Sequence, residues 1–189
     1  MPDFSTLVSS RHSCRRYQEN RIVPRETLDA CFEAARLAPS ACNSQPWRFI
    51  AVDTPEGVAA LAPCVQKPAL NCCEMNKFAS GCSALVVVAE APAILMRKLS
   101  DKPFDQTYAQ MDVGIAAAHF VLAAAEYGLS TCILGWLDAE KIRAVLSLPE
   151  EETPRLVIAV GYAEGDAASH STPRKPLDEI RRYAEPSAL

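Results

Sequence analysis

Between Arg11 and Tyr17 the chain reads Arg-His-Ser-Cys-Arg-Arg-Tyr, which gathers three guanidinium groups, an imidazole and a hydroxyl near the start of an acidic protein. Guanidinium groups grip phosphate through paired, charge-assisted hydrogen bonds, so this run is a candidate anion site, with Ser13 adding a hydroxyl. Its plain alternative is a solvated basic turn. The second distinctive run is Ala38-Pro39-Ser40-Ala41-Cys42-Asn43-Ser44-Gln45-Pro46-Trp47. Prolines near both ends hold the backbone extended. Small side chains at 40 to 42 let a planar ligand approach the main chain, and Asn43 and Gln45 can each donate and accept. The alternative here is an ordinary helix-to-strand loop in which Trp47 anchors the core.

Other chemistries lack their residues. The seven glycines form neither G-x-G-x-x-G nor a phosphate loop, so a Rossmann dehydrogenase or a nucleotide triphosphatase is unsupported. The three histidines lie far apart, without H-E-x-x-H, and no G-x-S-x-G elbow is present. The eight cysteines lack zinc-type spacing, and Cys72 and Cys73 are adjacent, which leaves no metal site to assign. Cys31, Cys82 and Cys132 read as small buried hydrophobes. Cys42 and the Cys72-Cys73 pair are the candidates for a reactive thiol.

Positioning these residues falls to a single domain covering residues 1–189. Its 49% hydrophobic and 22% charged residues describe an ordinary globular chain with a core of its own. A net charge of −4 argues against a nucleic-acid partner held through phosphates. No apolar run approaches the roughly 20 residues of a membrane span; the longest, Val113 to Ala125, carries His119. With no signal peptide at Met1-Pro2-Asp3, the expected compartment is a reducing cytoplasm with free thiols.

Helices and strands interleave. Pro24 opens a helix whose Leu28, Cys31, Phe32, Ala35 and Ala38 share one face. Phe49–Val52, Leu85–Ala89, Thr131–Leu134 and Leu156–Val160 read as strands, and Thr54 and Asp138 as helix caps. A long alanine-rich helix runs from about Tyr108 to Tyr127 and stops at Gly128. Lacking a polar face in its second half, it must be buried in a core or against a second subunit. The pattern is α+β, with one mixed sheet covered by helices.

Taken in order, R-H-S-x-R, A-P-S-x-x-N-x-Q-P-W, Met111-Asp112-Val113-Gly114-Ile115-Ala116, Tyr127 to Trp136, Leu156 to Tyr162 and Arg174 to Ile180 resemble the nitroreductase family of FMN-dependent oxidoreductases. The resemblance covers residues 11 to about 180. It implies a mixed, mainly antiparallel sheet of four or five strands flanked by helices, in a homodimer with two FMN sites at the subunit interface. Carried over residue by residue, it implies that Arg11, His12, Ser13 and Arg15 hold the phosphate and ribityl chain, with Arg174 returning to the phosphate. Pro39, Ser40, Ala41 and Asn43 would contact the flavin from the partner subunit, and the main chain of Leu134 and Gly135 would face N5. Lys77 is a further candidate for a flavin-side cation. No side chain is assigned as catalytic acid or base, because the chemistry belongs to FMN. The implied activity uses NAD(P)H in a ping-pong cycle to reduce nitroaromatics, quinones or similar acceptors. Alternatives are a flavin carrier or a redox sensor using Cys42, and a specialised flavin reductase or dehalogenase on the same scaffold. Leu134 stands where some members carry an acidic side chain, and the short stretch Ala91 to Thr107 predicts an open flavin face.

Overall fold

The computed structural model of the chain describes residues 3–66, 75–93, 107–165 and 172–184. Capping chemistry sets where most of its helices begin. Asp3 accepts from the Thr6 N–H at 3.0 Å to open α1 (Phe4–Ser10). Pro24 is the N-cap of α2 (Arg25–Arg36), one position earlier than its fixed φ suggested. Thr54 Oγ1 accepts from Gly57 N at 3.2 Å ahead of α3 (Pro55–Leu61). Asp138 does the same for Lys141 N at 3.1 Å ahead of α5 (Ala139–Leu146). Between these lies α4 (Thr107–Glu126), closed by Gly128 at φ +73°, a left-handed conformation that glycine adopts without strain. A last turn, α6 (Leu177–Ile180), lies on the C-terminal tail.

Four strands form one antiparallel sheet in the order β1 (Trp47–Val52), β2 (Ala84–Glu90), β4 (Thr153–Gly161), β3 (Ser130–Leu134). All seven residues of β2 are buried. Leu85 and Val87 face a core with Val58, Leu61 and Ile142, whereas Ala84, Val86 and Val88 face another with Leu28, Val113 and Phe120. Burial on both faces explains why this strand reads as an unbroken apolar run. Between Val88 and Ala89 the register shifts, so that Val88 lies opposite Leu156 and Ala89 opposite Pro154. The irregularity falls beside the proline, which has no N–H for the ladder.

α4 carries the chain from β2 to the far edge of the sheet, and β4 returns to fill the gap. Its Phe120 ring lies 5.3 Å from Phe32 and 5.9 Å from Phe49, binding α4, α2 and β1 into one layer. By length and composition alone Tyr108–Glu126 of α4 could cross a membrane, although its apolar residues do not form one uninterrupted run. Here it is a core helix: Val113, Ala116, Ala117, Phe120 and Ala124 are buried within the domain. Its opposite side bears a second stripe, Tyr108, Met111, Ile115, Ala118 and Leu122, spaced three and four residues apart and open to solvent except at half-buried Leu122.

Candidate functional site

The Arg11–Tyr17 run is laid against the edge of the sheet. Ser13 pairs with Thr131 in a parallel bridge, and Cys14 N donates to Thr131 O at 2.9 Å. Further on, Tyr17 bridges Ala163, and Gln18 N donates to Tyr162 O at 2.8 Å. Tyr17 fixes this register from inside. Its ring is buried and its hydroxyl lies 3.1 Å from Cys14 O and 3.3 Å from Ala159 O, while burial pushes its ionisation far above the ordinary phenol range. Gly161 makes room for it, since a Cβ there would stand 2.8 Å from Tyr17 Cδ1. With Cys14 and Tyr17 turned inward, Ser13, Arg15 and Arg16 point out to solvent and Arg11 and His12 are half-buried.

Among the described residues these arginines have no carboxylate partner. Arg25, Arg36, Arg48, Lys141, Arg143 and Arg155 each pair with Asp or Glu, but Arg11, Arg15 and Arg16 form no ion pair among the described residues. Arg21, close by in sequence, is drawn elsewhere: its guanidinium sits 3.4 Å from the Tyr162 ring centroid. His12 Nδ1 lies 3.1 Å from Ser10 O, and since a carbonyl only accepts, that bond places a proton on Nδ1. His12 Nε2 is buried without a hydrogen-bond partner among the described residues. Beside it lies a recess of about 180 Å³ bounded by Ser10, Arg11, His12, Leu129, Ser130 and Thr131.

Just past the end of β3, bare main chain is exposed at Gly135. Leu134 buries its side chain in the core, Gly135 is exposed with open space where a Cβ would be, and Ile133 is 41% exposed. Arg15, Ser13 and Arg11 lie near enough to Cys132 to favour its thiolate, although burial outweighs them and pushes that thiol's pKa up. Arg11, His12, Ser13, Arg15, Leu134 and Gly135 thus share one edge.

The second run forms a tight loop after α2. Ala41–Asn43 make a single 3-10 turn, and Cys42, Asn43 and Gln45 all have positive φ (52°, 53° and 47°), a rare conformation for side-chain-bearing residues. Gln45 N donates to Ser40 Oγ at 2.9 Å, and Gln45 Nε2 to Asn43 O at 3.2 Å. Pro39, Ala41, Cys42 and Asn43 are exposed, and Trp47 packs against the core as its plain reading held. The loop is tied to α4 through Asp112, whose Oδ2 accepts from Ala41 N at 3.1 Å. Sequence reasoning gave Asp112 no role. Its signal was a lone carboxylate amid the apolar residues of a core helix.

The two runs stand apart within one copy. Ala41 is held at Asp112, while Arg11 and His12 lie beside Ala125 and Gly128. Thirteen residues of helix separate Asp112 from Ala125, about 20 Å. Arg174 is not drawn to the cluster; it lies on an exposed tail and donates to its neighbour Pro173 O at 3.4 Å. Lys77 is exposed and opens a 3-10 turn (Lys77–Gly81) whose Phe78 and Ala79 pack into the core that holds Cys14 and Tyr17. Cys72, Cys73 and most of the Ala91–Thr107 stretch lie outside the described residues.

A strand edge whose arginines form no ion pair among the described residues, on an α+β domain, has the chemistry that suits a phosphate or similar anion. Residues 8–162 match the Nitroreductase family, and the chain belongs to that family. It is 29% identical over 205 residues to an oxygen-insensitive NADPH nitroreductase of Helicobacter acinonychis, spanning 90% of this chain and 91% of the relative. Its fold is similar to that of a nitroreductase family protein of Clostridium difficile 630 (28% identity, TM-score 0.74, covering 96% and 98% of the two chains). It is also similar to that of an Exiguobacterium sibiricum protein in complex with FMN (24% identity, TM-score 0.81, covering 97% and 98%).

Proposed function

We propose that this protein is an FMN-dependent NAD(P)H oxidoreductase of nitroreductase type, active as a homodimer with each FMN held between two copies. The observation that carries the reading is the set Arg11, Arg15 and Arg16, exposed or half-exposed on one strand edge and without carboxylate partners among the described residues, in a chain of net charge −4. Names support it too: the Helicobacter relative is an NADPH nitroreductase, and the Exiguobacterium structure holds FMN.

The residues fit the group. Arg11 and Arg15 would hold the dianionic phosphate, with Ser13 adding its hydroxyl. His12 Nε2, buried and unpartnered, would accept from a ribityl hydroxyl. FMN supplies the two-electron redox chemistry when bound. The exposed Gly135, with the main chain of buried Leu134 before it, would stand against N5, where fixed backbone dipoles act without reorganisation. No side chain is needed as acid or base, and solvent can deliver protons. Nicotinamide and acceptor, a nitroaromatic, a quinone or a similar small molecule, would take turns in the same cavity.

Two features support the pairing of copies. The cationic edge and the Pro39–Asn43 loop lie at opposite ends of α4, so a second copy can bring its loop to the first copy's edge. The stripe Tyr108, Met111 and Ile115, exposed by 59%, 60% and 38%, offers a seam for that contact. Arg174 would reach the phosphate only through the tail, whose Leu177, Ile180 and Tyr183 are also exposed.

The test is a visible spectrum of the purified protein before and after anaerobic NADH or NADPH. A flavin band that bleaches, and returns with a nitroaromatic or quinone, is the expected result. Protein that takes up no FMN overturns the reading, and a flavin that nicotinamide does not bleach favours a carrier or sensor.

A further inference from the structure

Asp112 is a buried carboxylate, 5% exposed, in the first half of a core helix. Aspartate is a poor helix former and a burdensome group to bury, so its presence there calls for a use. It has no cation within 4 Å among the described residues. Its one hydrogen bond there comes from Ala41 N.

The loop it holds has little else to fix it. Asn43 N donates to Ser40 O, Ser44 N to Ala41 O, Gln45 N to Ser40 Oγ and Gln45 Nε2 to Asn43, all within the loop. For residues 39–45 the bond to Asp112 is the hydrogen bond that reaches beyond the loop, among the described residues. Packing does not replace it, because Ala41, Cys42 and Asn43 are exposed. Three left-handed positions within four residues, at 42, 43 and 45, persist only where the surroundings over-determine them. The anchor falls on the residue just before the first of them.

We infer that Asp112 is a positioning residue: by capturing the Ala41 N–H it fixes the Ser40–Gln45 loop in the form that meets the flavin, and ties that form to the face of α4 on which two copies pair. Met111 precedes it and Ile115 follows by three residues, both on the open stripe, so the turn that carries the carboxylate is the turn the second copy would clamp. The role rests on the FMN reading above.

The test uses full-length protein and FMN. Asp112→Ala removes the acceptor, Asp112→Asn keeps a carbonyl of the same shape, and Ala41→Pro removes the donor. Proline suits that site, because Ser40 before it is extended (φ −145°, ψ 157°) and the first position of a helical turn tolerates it. Titration of flavin fluorescence should show D112A and A41P binding FMN about tenfold more weakly. The visible circular dichroism of the bound flavin should change with them, while D112N stays within about twofold of wild type. Combining D112A with A41P should add nothing further, as expected for two halves of one contact. Where D112A does not fold, A41P and D112N carry the comparison. Wild-type affinity and dichroism in A41P, or an Asn variant as damaged as the Ala variant, overturns the role. Wild-type protein that binds no FMN removes the flavin reading, and the role with it; wild-type that binds FMN beside an unaffected A41P removes the role alone.

Discussion

Ser13 and Thr131 face each other across a parallel bridge at the open edge of an otherwise antiparallel sheet. Because strand side chains alternate, that one register turns Cys14 into the core and leaves Ser13 and Arg15 outside. A slip of one residue would bury the guanidinium group of Arg15 and expose the thiol.

Replacing Arg11 and Arg15 together by alanine should strip FMN from the protein while leaving the fold intact. Neither residue is buried or ion-paired among the described residues, so apoprotein stability should change by no more than about 0.5 kcal/mol for each substitution. FMN content of the purified variant and a urea melt of the apoprotein measure the two effects separately. Full cofactor content would show that the phosphate binds elsewhere.

Ile115→Glu addresses the α4 stripe. In a pair it would place two carboxylates in an apolar seam, at roughly 2 kcal/mol or more each. Sedimentation should show the dimer giving way to monomer, with FMN lost in parallel because each site needs both copies. A variant that stays dimeric would move the seam to another face.

Gly161→Ala should destabilise the domain by about 1–3 kcal/mol in urea denaturation. The new methyl would meet Tyr17 Cδ1 at 2.8 Å and the Ser83 backbone N at 3.2 Å; Tyr17 is held by its hydroxyl at Cys14 O and Ala159 O, and Ser83 N by its bond to Val160 O. FMN affinity should fall with it.

Cysteine alkylation should separate the thiols by position. Burial pushes Cys31 up to about 11 and Cys82 up to about 12, so each stays protonated until the pH rises to those values. At pH 8 iodoacetamide should label exposed Cys42 in the native protein and reach Cys14, Cys31, Cys64, Cys82 and Cys132 only in denaturant. Peptide mass mapping reads the result, and rapid native labelling of Cys82 would contradict the packing around it.

Much of the fold could be read from local pattern, because local chemistry fixes it. The apolar face of α2, the caps Thr54 and Asp138, the stop at Gly128 and the double-sided burial of β2 each leave a trace within a few residues. The strands run further than expected, β4 most of all, because Pro154 reads as an ending where the register shift accommodates it. Strand order is not local: nothing in Leu156–Val160 says that it will lie between β2 and β3. The site divides the same way. Arg11–Arg15 and Pro39–Asn43 carry their chemistry in adjacent residues, whereas Asp112 acts on an N–H 71 positions away and looks like an interruption of an apolar helix. Arg174 is implied by the resemblance alone, and among the described residues its exposed tail gives it only the neighbouring Pro173 O.

The 20 Å that α4 puts between the two runs has a genetic consequence. In the proposed pair, each centre takes its arginines from one polypeptide and its loop from the other. A chain lacking Arg11 and Arg15, co-expressed with a chain lacking Asp112, would form mixed pairs in which both lesions fall on the same centre and the other centre is whole. Two alleles that are each defective alone would therefore complement one another.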